Sequence, residues 1–206
     1  QAAHPLPLFV QAVAFAAEKH RHQRRKDAQA SPYINHPIAL AQVLAQLGGV
    51  HDPVVLCAAV LHDILEDTET TAEELQALFG AQIASVVLEV TDDKTLLKPE
   101  RKQAQIDHAP TLSPEARLVK LADKICNLSD ILAHPPQGWD AQRRQQYFDW
   151  AARVVQALGP VHAGLERRFA ELLARRGEVG GWASRPCASR TCGGWGHASS
   201  CKAATM

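Results

Sequence analysis

Between Pro53 and Leu61 the chain is apolar on every side, and the next six residues are His62-Asp63-Ile64-Leu65-Glu66-Asp67. A helix without a polar face has to be buried all round. This segment therefore fixes the centre of any fold the chain adopts. It also delivers one imidazole and three carboxylates to the edge of that interior. Carboxylates taken out of water are costly unless they are paired, hydrogen-bonded or bound to a cation. That cost is the first argument for a metal site. Residues four apart share a helix face. On a continuous helix His62 would stack over Glu66, and Asp63 over Asp67, while the neighbours His62 and Asp63 diverge by about 100°, yet both can reach one metal ion if the helix is buried edge-on.

The remaining pattern is helical as well. Phe9, Val13, Ala16, Ala17 and His20 follow helical spacing. Pro37 opens a helix carrying Ile38, Ala41, Leu44 and Leu47, which Gly48-Gly49 closes. Asp52 is placed to cap the central helix, with Pro53 in its first turn. Thr71 and Glu74 form a capping box for a helix ending near Phe79-Gly80. Further helices are expected over about 81–90, from Ser113-Pro114-Glu115 onward through Leu118, Leu121, Ala122, Ile125 and Leu128, and over 140–158 and 160–176. No alternating strand pattern and no internal repeat appears. The expected class is all-α.

The length suits one domain with a real core, assigned to residues 1–176. From Gly177 to Met206 the composition turns to Gly, Ser, Ala and Cys, so this segment is expected to be a disordered tail. Cys187, Cys192, His197 and Cys201 lie in it. Their gaps of four, four and three residues are looser than a zinc-binding CxxC pair, so composition explains them better. Cys57 and Cys126 fall in apolar helical patterns and read as buried thiols. Five cysteines with no framework spacing point to a reducing, cytoplasmic setting. Lys plus Arg and Asp plus Glu are both 22, which gives no electrostatic argument for nucleic acid or membrane as partner. No apolar run approaches the ~20 residues of a membrane span. No basic stretch followed by an apolar one marks a secretory signal.

A metal at His62 and Asp63 needs further ligands. His36 stands in Pro32-Tyr33-Ile34-Asn35-His36-Pro37, read as a rigid loop before a helix. Asp123 lies in an amphipathic helix, one turn from Asn127 and flanked by Lys120 and Lys124. Taken singly, a buried His is more often a hydrogen-bonded core residue, and a helix Asp more often an ion-pair partner. Together, two imidazoles and two carboxylates form a nitrogen–oxygen set suited to Mn, Fe or Zn rather than Mg or Ca. Cations are also plentiful around the pattern, from Arg24-Arg25-Lys26 to Lys94, Lys98, Arg101 and Lys102.

Four stretches in combination carry a family resemblance. They are Arg24-Arg25-Lys26-Asp27 with Pro32 to Pro37; His62 to Thr68; Val90 to Leu96 with Lys98, Glu100, Arg101 and Lys102; and Lys120 to Lys124 with Asn127-Leu128. Over about 9–176 the chain resembles HD-superfamily phosphohydrolases, more narrowly RelA/SpoT-type (p)ppGpp hydrolases in their stand-alone metazoan form. The resemblance implies an HD-domain helical bundle that removes the 3′-pyrophosphate of ppGpp or pppGpp, giving GDP or GTP, with one Mn²⁺ ion (Zn²⁺ or Fe²⁺ second). It implies His36, His62, Asp63 and Asp123 as metal ligands, and Glu66 and Asp67 as the catalytic pair acting on water. It implies Arg25, Lys26, Tyr33, Lys98, Asn127, Arg143 and Tyr147 as substrate contacts. No synthetase domain is expected, so the chain should degrade alarmone without making it. Two positions depart from the family pattern: Ala30 where Gly is usual, and Ser129 where Arg is usual. Two other readings use the same residues: an HD phosphohydrolase acting on another ribose-phosphate nucleotide such as NADPH, and a catalytically silent alarmone sensor. Intact Glu66 and Asp67 count against the sensor. Oligomeric state leaves no mark on the sequence.

Overall fold

The computed structural model describes residues 5–180, and every regular element among them is a helix. In chain order these are α1 (Pro5–Lys19), α2 (Asn35–Gln42), a π-helical turn (Val43–Leu47), α3 (Pro53–Leu61), α4 (Ile64–Asp67), α5 (Ala72–Phe79), α6 (Ala81–Val90), α7 (Lys98–His108), α8 (Pro114–Ala133), α9 (Ala141–Leu158) and α10 (Ala163–Ala174). Short 3-10 turns follow α7 (Ala109–Thr111) and α10 (Arg175–Gly180). The apolar helix α3 is the hub, packed against α1, α2, α6 and α8. The long α8 is a second spine, packed in turn against α2, α6, α9 and α10. Ala58, Ala59, Val60 and Leu61 are wholly buried, as a helix without a polar face requires.

Local signals in the sequence set most of the boundaries. The Asp52 carboxylate accepts from Val54 N at 2.8 Å, and Pro53 follows it. Thr71 Oγ1 accepts from Glu74 N, starting α5. Gly80 ends α5 and begins α6 at φ +87°, a conformation that side chains disfavour. Ser113 caps α8 through Ala116 N, and Asp140 caps α9 through Arg143 N.

Several expectations need correction. The second helix begins at Asn35, so His36 sits inside its first turn and not in the preceding loop. Its last turn widens to a π-helix at Val43–Leu47, which leaves Leu47 exposed. Helix α3 stops at Leu61. Asp63 takes φ −100°, ψ 2°, and α4 starts afresh. Helix α7 lies where apolar periodicity predicts no helix, because none of its residues is buried. The last helix starts at Ala163, with His162 Nδ1 accepting from Leu165 N. Val179 is buried in the core, so the packed unit runs past Gly177. Residues 181–206, with Cys187, Cys192, His197 and Cys201, lie outside the described residues. None of the helices among the described residues is long and apolar enough to cross a membrane.

The connection from α1 to α2 is a tight excursion closed by an antiparallel bridge between Arg24 and Pro32. Ala30 lies in it at φ +49°. A left-handed residue with a Cβ costs about 1–2 kcal/mol, which explains why glycine suits this place. Glycine gives back part of that through its greater freedom in the unfolded chain. Ala30→Gly is therefore expected to raise stability by about 0.5–1 kcal/mol, with turnover unchanged. Urea denaturation measures the first and steady-state kinetics the second.

Candidate metal centre and active site

Three elements converge where α3 ends. The break after Leu61 turns His62 and Asp63 toward one point, so that Asp63 Oδ2 lies 2.9 Å from His62 Nε2. An unbroken helix would have splayed them apart. From α2, His36 brings its ring within 5.3 Å of the His62 ring, centroid to centroid. From α8, Asp123 Oδ1 lies 3.3 Å from His36 Nε2. His36, His62 and Asp123 each offer a ligand atom, and these atoms all lie within 4.8 Å of one another.

The surroundings of these groups fit a cation. His62 Nδ1 is 2.8 Å from the Ala59 carbonyl, which can only accept, so this nitrogen carries the proton. That leaves Nε2 facing the cluster, where a proton or a cation can take its lone pair. Nε2 is buried, and apart from the Asp63 carboxylate 2.9 Å away it has no partner among the described residues. A metal-binding imidazole commonly has this arrangement. Burial opposes charge on His62, yet Asp63 and Asp123 outweigh it and push the imidazole up to about 9. Burial likewise opposes charge on Asp63, while His62 and His36 hold its carboxyl below the usual range. The Asp123 carboxyl, also buried, is held well below that range by Lys124 and His36. Tyr33 donates its hydroxyl hydrogen to Asp63 Oδ2. Asn127 Nδ2 donates to Asp123 Oδ1 at 2.6 Å, and Lys124 Nζ to Asp123 Oδ2 at 2.8 Å.

Glu66 and Asp67 lie one turn beyond, on α4. Glu66 Oε1 is 3.8 Å from Arg101 Nη1. Burial, then the charges of Asp92, Asp63 and Asp67, raise the Glu66 carboxyl to about 7, with Lys94 opposing. Asp67 Oδ1 pairs with Lys94 Nζ at 2.6 Å, and its backbone carbonyl accepts from the Gln23 side chain.

A cavity of about 720 Å³ opens beside this cluster. Of the substrate-contact candidates, Arg25, Tyr33, Lys98, Asn127, Arg143 and Tyr147 line it. Lys26 does not. It lines a second cavity of about 630 Å³, which shares Arg25, Tyr33, Asn127 and Tyr147 with the first. Arg25 and Lys26 belong to the bridged loop between α1 and α2. Arg25 pairs with Asp130, the neighbour of Ser129, so a guanidinium still occupies that part of α8.

Sequence reasoning named Tyr147 but missed Trp139 and Trp150, which complete an aromatic wall of the cavity. Trp139, Tyr147 and Trp150 follow one another at ring separations of 5.9 and 5.2 Å. Arg143 lies over Trp139 at 4.4 Å, and Lys102 over Trp150 at 4.8 Å. Lys98, Lys102 and Arg143 have no carboxylate partner among the described residues. Burial and the neighbouring cations Lys98, Lys124 and Arg143 push the Lys102 ammonium down. An anion is what such a wall lacks. The i, i+3 spacing of Tyr147 and Trp150, a turn beyond Arg143, was the available signal.

The HD domain family matches residues 12–173, and the chain belongs to it. The cluster and the family together mean a divalent-metal site. Among its relatives, guanosine-3′,5′-bis(diphosphate) 3′-pyrophosphohydrolase MESH1 of Danio rerio is 51% identical over 170 residues, spanning 82% of this chain and 94% of that protein. The Homo sapiens MESH1 is 52% identical over 169 residues, with the same shares covered. A solved structure of a metazoan SpoT ortholog, described as hydrolysing ppGpp, superposes with a TM-score of 0.82 at 45% identity. It covers 85% of this chain and 99% of that one.

Proposed function

We propose that this protein is a cytoplasmic, Mn²⁺-dependent guanosine-3′,5′-bis(diphosphate) 3′-pyrophosphohydrolase. It converts ppGpp to GDP, and pppGpp to GTP, releasing pyrophosphate. The relatives named above carry this activity in their names. The observation that carries the reading is the site itself. A buried His–Asp cluster, with an imidazole nitrogen facing only carboxylate, opens onto a cavity whose wall carries aromatic rings and cations, Lys98, Lys102 and Arg143 among them without a carboxylate partner among the described residues. A nucleotide with two diphosphate groups matches that wall in charge, and its base and ribose match the rings.

His36, His62, Asp63 and Asp123 would hold the ion. An ion bound there supplies a Lewis acid and a water of lowered pKa. The chain's own groups do the rest. Glu66, with its carboxyl near 7, accepts a proton from the attacking water. Asp67, held by Lys94, orients that water. The water oxygen bonds to the phosphorus attached to O3′, and the P–O3′ bond breaks. The electron pair stays on O3′, which takes up a proton. Tyr33 and Asn127 hold the two carboxylates in place through their hydrogen bonds. Arg25, Lys98 and Arg143 receive the phosphates, and Tyr147 flanks the nucleoside. Lys26 reaches the substrate only where it extends into the second cavity.

The test is Mn²⁺-dependent release of pyrophosphate from ppGpp by purified protein, with phosphate release from NADPH measured in parallel. GDP and pyrophosphate in a 1:1 ratio are the expected products. Turnover of NADPH alone would transfer the reading to a different ribose phosphate. Binding of ppGpp with no turnover would make the protein a sensor.

A further inference from the structure

The hydrolytic reading leaves one buried cation unexplained. Lys124 sits in the middle of α8 and is only 2% exposed. A buried ammonium is costly unless its charge and its N–H groups are matched. Its single hydrogen bond among the described residues goes to Asp123 Oδ2. Its Nζ also lies 4.4 Å from the centre of the Trp150 ring, in cation–π contact. An ammonium has three N–H groups, so two are not taken by an acceptor.

Lys124 also forms part of the wall of the principal cavity, beside Asp123. The Asp123 carboxylate is divided between two tasks. Its Oδ1 faces His36 and Asn127, on the side of the metal cluster, while its Oδ2 is held by Lys124. Lys124 thus stands on the cavity side of a ligand carboxylate. That is where the oxygens of a phosphate drawn to the cluster would lie. Lys102 cannot substitute for it, because Lys102 approaches Trp150 and Tyr147 from α7, with no bond to the cluster.

Resting on the proposed hydrolysis, we infer that Lys124 is a further catalytic residue. One N–H anchors Asp123, and the other two donate to the non-bridging oxygens of the phosphate under attack. Negative charge grows on those oxygens as the P–O3′ bond breaks. A fixed cation inside a water-poor wall stabilises it without reorganising. Trp150 keeps the ammonium in place by its ring face.

The experiment compares wild type with Lys124→Met and Lys124→Gln. Met keeps the length without charge, and Gln can still donate to Asp123. Removing a donor of this kind lowers kcat by about 100-fold or more. Both variants are expected to show that loss at saturating Mn²⁺, with Mn²⁺ affinity, read by electron paramagnetic resonance, within about threefold for the Gln variant. Recovery of kcat at high Mn²⁺, or near-normal kcat in Lys124→Gln, would overturn the inference, because Lys124 would then only hold Asp123. If neither variant folds, the wild-type protein decides. The Nζ resonance of Lys124, shielded from exchange by burial, should shift on adding inorganic pyrophosphate, and an unmoved resonance would refute the contact. Wild type inactive on ppGpp would instead strike at the proposed reaction. The pyrophosphate shift would still be read separately.

Discussion

Asp63→Asn is expected to remove metal binding and turnover together. Asparagine has the same shape, so the break between α3 and α4 and the packing of Ile64 beneath it should persist. What disappears is a charge whose two partners are known. Asp63 accepts from the Tyr33 hydroxyl and lies 2.9 Å from His62 Nε2. Burial alone would favour a neutral carboxyl here, and the two imidazoles overcome it. Asp63 is therefore held as an anion, the form that the proposed ligand role requires. Loss of a catalytic metal forfeits several kcal/mol of charge stabilisation, which amounts to about 1,000-fold or more in rate. Thermal denaturation with and without Mn²⁺ checks the binding half. A ligand that binds only the folded state raises the melting temperature by mass action. Wild type should show that rise and Asp63→Asn should not. A variant that keeps full activity would remove Asp63 from the ligand set.

The sequence made the hub helix and the His62–Asp63 pair legible for one reason, while His36 and Asp123 gained weight only from the family resemblance. An all-round apolar segment followed by ionisable residues has few physical solutions. Its caps were legible too, since Asp52, Thr71 and Ser113 each bond the backbone N–H two or three residues on. Periodicity could not reveal α7, which buries no residue and presents Lys98, Arg101 and Lys102 to the cavity. Its signal was chemical. Pro99 follows Lys98, and Glu100 reaches back to Leu97 N at 2.9 Å. Nor could periodicity place the break at His62–Asp63, because it depends on tertiary demand. A continuous helix with both side chains reaching one ion was the simpler expectation, and the structure instead breaks the helix so that both turn inward. Lys26 shows the same limit from the other side. Arg25, its neighbour in sequence, lines both cavities, whereas Lys26 lines only the second, a difference that adjacency in the chain does not reveal.

Glu66→Gln is expected to lower kcat by about 10²–10⁴-fold, the usual worth of a positioned base, while leaving Mn²⁺ binding in place. The wild-type pH profile gives the complementary evidence. Burial and three neighbouring carboxylates raise the Glu66 carboxyl from 4.5 to about 7. Turnover needs the ionised form, so activity should climb as pH rises through that region. A bound cation favours the carboxylate and moves the limb to lower pH. The stability consequence has the opposite sign. The folded chain holds this proton more tightly than the unfolded one. The group's contribution is complete below about 4.5 and is lost as pH rises through about 7. Without metal, Glu66→Gln should therefore melt at a higher temperature than wild type at pH 8, and the difference should shrink toward pH 5. A variant that is less active and more stable, with both effects growing from pH 5 to pH 8, identifies Glu66 as a carboxylate held in the fold for chemistry and at the expense of stability. A variant with unchanged kcat would transfer the base to Asp67, whose carboxylate faces Lys94 and solvent.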